Sequence, residues 1–439
     1  MGKKKEQHEI RDPVHVFIHM DTDERYVLDC PEVQRLRHIH QLALTYLVYP
    51  GATHRRFEHS LGVMELATRV FDVITAPNNI HDKARHIVPP DDQLRYWRRV
   101  LRMAGLCHDL GHLPFSHAAE KTLLPKDWDH ERMTQDIIGS DGMKRCAWDK
   151  LTIPLKIDDI IKVALGPRNA RGLTFNEWET ILSEIISGDV FGVDRMDYLL
   201  RDSLHTGVGY GRFDHYRLID TLCILPKGGS EGDSEEPMLG LDAGGLRSAE
   251  ALLWARYFMF SQVYCHPIRR VYDIHLRDFL ENWLPDRLFP TDVEKYLAVT
   301  DNDVIVGMNK AALEPSKPAH IHAKRILERK HFGLLYEANP ADQDINLNAA
   351  EQVYKAACTE FGPDQVRRDS YTQKGGSQSF PVRLKDGRIA QSVELSDTLA
   401  KMPVVAVDYV FLDKDRLPTA EKWLDQKRNQ IIAAQKGLD

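Results

Sequence analysis

The sequence predicts a mainly α-helical protein, a helical bundle with a small N-terminal β-hairpin and a mixed α+β C-terminal region. Long segments carry apolar residues at helical spacing, for example PEVQRLRHIHQLAL from Pro31 and FEHSLGVMELATRVFDVI from Phe57. Strand-like alternation is confined to the first 28 residues and to the chain beyond about residue 290. We therefore expect helices in the centre of the chain and strands towards its two ends.

The N-terminal segment predicts a hairpin followed by the first helix of the bundle. VHVFIH and RYVLDC flank the polar turn DTDE, so they are predicted as the two strands. Pro31 then stands where the first turn of a helix tolerates proline. We divide the chain into a tail and hairpin (1–28), a helical core (29–290) and an α+β region (291–439).

The remaining elements follow from periodicity and from turn residues. Helices are predicted over 129–139, 152–165 and 174–188, and a long helix begins near Leu246 with a break at Pro267. The Gly/Ser/Glu-rich segment at about 226–238 predicts a mobile loop. AHIHAKRILERKHFGLLYE predicts a helix, whereas FPVRL and residues 402–412 predict strands.

Composition sets the class of protein and its expected compartment. The 439 residues carry a net charge of -7, and 43% are hydrophobic and 28% charged, which is typical of a soluble globular protein. We expect neither a membrane span nor a signal peptide. Six scattered cysteines without a CxxC pair favour a reducing cytoplasm over a disulfide framework or a zinc finger.

The segment CHDLGHLPFSH carries the most concentrated chemistry in the chain. His108 and Asp109 at its centre are a plausible pair of ligands for one divalent metal. His59 and Asp194, on two other predicted helices, would complete a mixed nitrogen and oxygen shell suited to Fe, Mn, Zn, Co or Mg. The alternative is a set of surface histidines near a helix end.

Several neighbouring side chains could serve a phosphate substrate. His112, His117 and His130 could supply protons, and Glu120 is near enough to His117 on a helix to orient it. Asp194, Tyr198 and Asp202 share one helix face, for which an ordinary solvent face is the alternative. Three arginines could neutralise a polyphosphate, namely Arg56, Arg195 and Arg256. The chain has no glycine-rich phosphate-loop motif.

The motifs RFEHSLGVMELA, CHDLGHLPFSH, DWDHE and VDRMDYLLRD together resemble the H…HD…D signature of the HD phosphohydrolases. The likeness is greatest to the dNTP triphosphohydrolases, which include the sterile-alpha-motif/HD-domain enzymes and the bacterial dGTPase-like proteins. The sterile-alpha-motif domain is not expected here. The likeness is dense from about Asp12 to Asp214 and around ARYFMFSQVYCH, and it is thin beyond about residue 290.

The resemblance implies hydrolysis of dNTP to deoxynucleoside and triphosphate by water attack at the α-phosphorus. It implies one divalent transition metal (Mn, Fe, Zn or Co), with additional Mg as an open alternative. The implied metal ligands are His59, His108, Asp109 and Asp194. It implies His112, His117 and His130 around the α-phosphate, with one of them acting in proton transfer. Glu120, placed by its spacing to His117, completes the candidate catalytic set. The implied substrate residues are Gln41, Leu42, Arg56, Arg195, Tyr198, Asp202, Arg256 and Tyr264.

The resemblance also implies partners. Asp29, Gln34 and Arg37 match residues that bind a nucleotide activator in the family, although they could instead cap and tether the first helix. A homo-oligomer, either a dimer or a tetramer, is expected. Two departures, Arg195 in place of lysine and Cys265 in place of glutamine, leave the preferred base open.

Competing functions remain at this stage. An HD-type nuclease is the main alternative, because the basic stretch 366–388 could guide single-stranded DNA or RNA. A nucleotide sensor without activity is disfavoured because every expected metal ligand is present. A cyclic-dinucleotide phosphodiesterase is disfavoured because the HD-GYP pattern is missing.

Overall fold

A computed structural model describes residues 7–116, 120–226, 237–373 and 379–433, in two compact units. The first unit comprises Met1–Met259, Leu288–Asp303 and Gly375–Pro403, and the second comprises Phe260–Arg287, Val304–Lys374 and Val404–Asp439. Most of the segment predicted as a mobile loop, 227–236, lies outside the described residues. The division expected at residues 28 and 290 stays a prediction.

Helices dominate, which confirms the predicted fold class. Numbered along the chain, the α-helices are α1 Thr22–Leu28, α2 Pro31–Gln34, α3 Arg56–Ile74, α4 Asp91–Cys107, α5 Glu120–Leu123, α6 His130–Ile138, α7 Asp141–Cys146, α8 Ile157–Asn169, α9 Glu177–Ser187, α10 Val193–Thr206, α11 His215–Asp220, α12 Leu246–Met259, α13 Pro267–Trp283, α14 Val293–Leu297, α15 Asp301–Ala312, α16 His320–Leu327, α17 Pro340–Ile345, α18 Ala349–Phe361, α19 Ser392–Leu395, α20 Asp397–Ala400 and α21 Leu417–Ala433. The break expected at Pro267 is present, because a π-helical turn at Phe260–Tyr264 separates α12 from α13.

The strands form three small sheets. They are β1 Gln7–Asp12, β2 Val16–Asp21, β3 Leu222–Pro226, β4 Pro237–Asp242, β5 Gly333–Glu337, β6 Val366–Thr372, β7 Pro381–Arg383, β8 Ile389–Gln391 and β9 Ala406–Leu412. The first unit holds the antiparallel hairpin β1-β2 and the sheet β3-β4-β7-β8, in which only β4 and β7 pair in parallel. The second unit holds the antiparallel sheet β5-β9-β6.

Two local predictions were wrong. The hairpin exists, but RYVLDC forms α1 instead of its second strand, because Asp21 and Glu24 make a capping box at the helix start. HFGLLYE, predicted to be helical, contains β5, which pairs with β9. In both places the chain offered helix and strand signals together, and a cap or a pairing partner decided between them.

The first unit is built around α3, which buries most of its surface against α4 and α10. Its buried apolar side chains include Phe57, Leu61, Met64 and Phe71. Gly105 of α4 lies against the backbone of Met64, where a Cβ atom would approach within 3.2 Å. This close packing fixes the end of α4, and with it the residues that follow Cys107.

A disulfide joins Cys30, before α2, to Cys146 at the end of α7. The expectation that all cysteines are reduced was therefore wrong, because residues 116 positions apart in sequence meet with a Cα–Cα distance of 5.7 Å. The other four cysteines are free thiols. No spacing motif marked this pair in the sequence.

The second unit has its own core between the sheet β5-β9-β6 and the helices α18 and α21. Its fully or nearly buried members include Leu335, Val353, Val366, Val410 and Leu424. Over the ranges that the structure describes, no helix is both long and apolar enough to cross a membrane.

Candidate metal centre

Three helix ends in the first unit bring the predicted metal ligands together. His59 lies in the first turn of α3, which begins where Glu58 accepts a hydrogen bond from the backbone of Arg55 (2.7 Å). His108 directly follows α4, and Asp194 lies in the first turn of α10. One ligand atom from each of His59, His108 and Asp194 lies within 4.8 Å of the other two.

Hydrogen bonds fix which nitrogen of each imidazole faces this centre. Nδ1 of His108 donates to the carbonyl of Gly105 (2.8 Å), and Nδ1 of His59 donates to Asp197 Oδ2 (2.8 Å). The Nε2 atoms are therefore left for a ligand. Within the described part of the chain, the buried Nε2 of His108 makes no hydrogen bond, although Asp109 Oδ1 lies 3.2 Å and Asp194 Oδ1 3.7 Å away.

The charge of the centre also fits a cation. His59 Nε2 lies 3.0 Å from Asp194 Oδ1. Burial lowers the pKa of His59, but hydrogen bonds to Asp194 and Asp197 outweigh burial and raise the pKa to about 10. Asp194 and Asp197 thus favour a proton on the His59 ring, at the place where a metal ion would otherwise bind. Two imidazoles with carboxylates are a donor set for a divalent transition metal.

Asp109 lies between the metal centre and a group of basic side chains. Its Oδ1 is 3.2 Å from His108 Nε2 and 3.1 Å from His112 Nε2, and its Oδ2 accepts a hydrogen bond from Arg56. Burial would raise the pKa of Asp109, but His108, Arg56 and His112 hold it well below its usual range. Asp109 is therefore ionised and within reach of a shared ion.

Two further imidazoles form a pair beside Asp109. The rings of His112 and His130 stack with centroids 4.1 Å apart. Burial, Arg56 and His130 hold the pKa of His112 well below its usual value. Burial also lowers the pKa of His130, but Glu120, 2.5 Å from its Nδ1, outweighs burial and raises it. The surroundings thus favour the neutral base for His112 and the protonated acid for His130.

Glu120 contacts His130 in the described part of the chain. It binds both Nδ1 and the backbone N–H of His130. His117, which the sequence suggested as its partner, lies outside the described residues.

Side chains from distant parts of the chain hold the segment after Asp109. Arg35 donates to the carbonyl of His112 (3.0 Å), and Asp301 accepts from the backbone N–H of Phe115 (2.7 Å). Gly111 packs so closely on α6 that a Cβ atom would lie 2.1 Å from the carbonyl oxygen of His130. Sequence reasoning missed Arg35 and Asp301, because they lie 77 and 186 residues from their partners.

Of the predicted substrate residues, Arg56 lies beside Asp109, and Arg195, Tyr198 and Arg256 lie near one another. Arg56 also donates to Ser116 Oγ (2.9 Å). Arg195 and Arg256 lie close enough to Tyr198 to lower its pKa, although burial raises that pKa overall. Nη1 of Arg195 donates to the carbonyls of Gly188 (3.0 Å) and Asp189.

The other predicted substrate residues have structural contacts or lie elsewhere. Asp202 is buried and accepts from His54 Nε2 (2.7 Å). Leu42 is buried, and Gln41 donates its backbone N–H to the carbonyl of His54 (3.1 Å). Tyr264 belongs to the second unit, in the turn between α12 and α13. Their roles with substrate stay predictions.

The residues matched to an activator site make local contacts at the first helices. Gln34 donates to the carbonyl of Leu28 (2.8 Å) and accepts from Arg37 Nε (2.8 Å). The guanidinium of Arg37 lies 3.5 Å from the ring centroid of Phe57. Asp29 accepts from Arg25 (3.1 Å). These are the contacts expected of the capping alternative, and nucleotide binding there stays a prediction.

Two histidines and one aspartate from three helix ends, with Asp109 beside them, form a candidate metal site of the HD type. Comparison with known proteins agrees: residues 56–141 match the model of the HD domain, and residues 213–357 match that of the HD associated region. The chain belongs to the HD-domain family.

Relatives and a solved structure extend this result. An uncharacterized protein of Methanocaldococcus jannaschii is 37% identical over 61% of this chain and 48% of its own length. The deoxynucleoside triphosphate triphosphohydrolase SAMHD1 of Homo sapiens is 29% identical over 76% of this chain and 56% of its own. A hypothetical protein from Aquifex aeolicus superposes with a TM-score of 0.76 at 30% identity, over 95% of this chain and 100% of that one. The chain spans about half the length of the first two curated relatives it matches.

Proposed function

We propose that this protein is a metal-dependent deoxynucleoside triphosphate triphosphohydrolase, which converts dNTP and water to deoxynucleoside and triphosphate. The observation that carries the proposal is the convergence of His59, His108 and Asp194 within 4.8 Å, with an unpartnered Nε2 on His108 in the described part of the chain. The similarity to SAMHD1 supports the choice of a dNTP as substrate. An HD-type metal site alone supports only the broader class of phosphohydrolase.

His59, His108, Asp109 and Asp194 would hold the metal. When bound, such an ion polarises a phosphoryl oxygen and lowers the pKa of a water ligand. The mixed nitrogen and oxygen shell suits Mn, Fe, Zn or Co, with additional Mg as an open alternative.

His112 and His130 would transfer the protons of the reaction. His112 is neutral and can accept a proton from the attacking water. Glu120 occupies Nδ1 of His130, so Nε2 of this protonated ring would donate to the 5′ oxygen as its bond to the α-phosphorus breaks. Arg56, buried beside Asp109, supplies positive charge against the phosphates.

The observations weaken the nuclease alternative. Three arginines of the basic stretch 366–388 are bound to carboxylates: Arg367 to Asp278, Arg368 to Asp408 and Arg383 to Asp242. They neutralise charge within their own units, so they give little support to a groove for a nucleic acid strand.

The deciding experiment incubates the purified chain with Mn²⁺ and each dNTP in turn, and separately with labelled single-stranded DNA. Ion chromatography and reverse-phase chromatography then measure inorganic triphosphate and deoxynucleoside. We expect equimolar amounts of the two products. Shortened DNA strands without triphosphate release would replace this proposal with the nuclease. Release of pyrophosphate would contradict cleavage of the bond between the α-phosphorus and the 5′ oxygen.

A further inference from the structure

A buried cluster of charged and polar side chains lies behind the candidate metal centre in the first unit. It consists of Asp12, His15, Asp197 and Arg201, each at most 4% exposed. We propose that Asp197 is a positioning residue that sets metal affinity by holding His59, and that the other three hold Asp197. This inference rests on the metal centre of the proposed function, but not on its substrate.

Every oxygen of the Asp197 carboxylate is engaged. Oδ2 accepts from His59 Nδ1 (2.8 Å) and from Arg201 Nε (2.9 Å). Oδ1 accepts from His15 Nε2 (2.7 Å) and from Arg201 Nη2 (3.0 Å). Four donors from three chain segments leave the carboxylate a single orientation.

This orientation determines how His59 presents itself to a metal. A carboxylate can only accept, so Nδ1 of His59 carries a proton that it donates to Asp197, and Nε2 is the nitrogen that faces Asp194, whose Oδ1 lies 3.0 Å away. Nε2 donates to Asp194 in the metal-free site and would give up this proton to bind a metal. The carboxylate also makes the imidazole a stronger donor to a cation. Asp197 therefore favours the tautomer that a metal requires.

The N-terminal hairpin completes the cluster. Arg201 Nη1 donates to Asp12 Oδ2 (2.8 Å), at the end of β1. Oδ1 of Asp12 accepts the backbone N–H groups of Val14 (2.9 Å) and His15 (2.8 Å), which shape the turn that presents His15 to Asp197. The hairpin thus takes part in the metal centre without contributing a ligand.

The sequence makes room for this cluster with one glycine. Gly62 lies one helical turn after His59, and a Cβ atom there would fall 1.9 Å from Asp197 Oδ1 and 2.5 Å from Arg201 Nη2. Only a residue without a side chain lets α10 bring its carboxylate so close to α3.

The test measures metal binding directly, without turnover. The full-length apo chain is titrated with Mn²⁺ while electron paramagnetic resonance reports free Mn²⁺, for the wild type, Asp197→Asn and the control Asp159→Asn. Asp159 is a buried carboxylate of the same unit that accepts from Tyr96 Oη (2.6 Å) and lies outside the centre. We expect roughly 10- to 100-fold weaker binding for Asp197→Asn and none of this loss for the control.

A spectroscopic signature separates positioning from general stability. Because His59 would turn or change tautomer, the visible absorption of the Co²⁺-loaded protein should shift in Asp197→Asn and stay unchanged in Asp159→Asn. Wild-type affinity and an unshifted spectrum in Asp197→Asn would overturn the proposal. An equal loss of affinity in both variants would also overturn it.

A second variant covers the case in which Asp197→Asn fails to fold by circular dichroism. His15→Ala leaves the carboxylate with three of its four donors, and we expect a several-fold loss of Mn²⁺ affinity. Unchanged affinity in this variant would overturn the proposal. The two proposals fail separately: a wild type that binds Mn²⁺ but hydrolyses no dNTP defeats the function alone, and full affinity in the variants defeats the positioning role alone.

Discussion

The ring of His112 stacks on that of His130 at a centroid distance of 4.1 Å, and the pKa values of the two imidazoles are moved in opposite directions. Burial and neighbouring cations favour the neutral form of His112, whereas Glu120 favours the protonated form of His130. A base and an acid in contact, beside an HD-type metal centre, are suited to hydrolysis at phosphorus.

Replacement of Glu120 tests this pair. Glu120→Gln removes the carboxylate that raises the pKa of His130, so less of the ring is protonated at neutral pH. If His130 is the acid, activity is lost as pH rises through its pKa, and the variant should lose activity at a lower pH, with up to roughly 100-fold lower kcat. The pH profile of kcat measures this, with the exposed Glu177→Gln as control. An alkaline limb that does not move would remove His130 from the acid role.

Loss of a metal ligand should abolish turnover while the fold remains. His108→Ala removes the unpartnered Nε2 from the centre, and we expect kcat to fall at least roughly 100-fold with only a small change in melting temperature. His86→Ala, at an exposed histidine paired with Glu177, should be fully active. Triphosphate release by His108→Ala at the wild-type rate would refute the assignment.

Tyr198 is expected to discriminate deoxyribose from ribose. It lies one turn after Asp194 on α10, between Arg195 and Arg256, and we expect Tyr198→Ala to lower the preference for dNTP over NTP by roughly 10-fold. The ratio of kcat/KM for dGTP and GTP measures the effect. Tyr216→Ala, which removes an aromatic ring from an exposed position, should keep the wild-type ratio. The same ratio in both variants would mean that another residue excludes the 2′-hydroxyl.

A histidine in the second unit should make stability depend on pH. Burial and the cations Arg325 and Arg367 hold the pKa of His275 well below its usual value, and Nε2 accepts the backbone N–H of Phe332 (3.1 Å). As pH falls through about 6.5 the unfolded chain binds a proton that the folded unit does not, so stability is present above that pH and is lost below it. Urea unfolding between about pH 7 and pH 5 should show this loss, and His275→Gln should reduce it. Parallel pH dependence in the variant would contradict the assignment.

The disulfide should contribute measurably to the first unit. Cys30 and Cys146 are 116 residues apart, so reduction should lower the free energy of unfolding by about 4 kcal/mol. Urea unfolding with and without dithiothreitol measures the difference. The double variant Cys30→Ser/Cys146→Ser should be insensitive to the reductant, whereas Cys358→Ser should respond like the wild type. A wild type that reductant does not affect would show that the bond adds no stability.

The helical class could be predicted from the sequence. The grouping of His59, His108 and Asp194 at one metal site could also be predicted, because their motifs are compact and sit at helix ends. The sequence did not identify Asp197, since a carboxylate three residues after Asp194 also fits an ordinary helix face. The partner atoms of Asp197 lie 138 and 182 residues away, on His59 and His15. Such contacts depend on tertiary packing, which local periodicity does not encode.

The bond between Arg201 and Asp12 has a consequence for how the protein is made. Its two ends are 189 residues apart, so the buried cluster cannot close until the ribosome has released the chain well beyond α10. Pairings of such long range are reached late, after the entropy of a large loop has been overcome. The nascent chain would therefore acquire its full affinity for metal only after Arg201 has left the ribosome and has met Asp12.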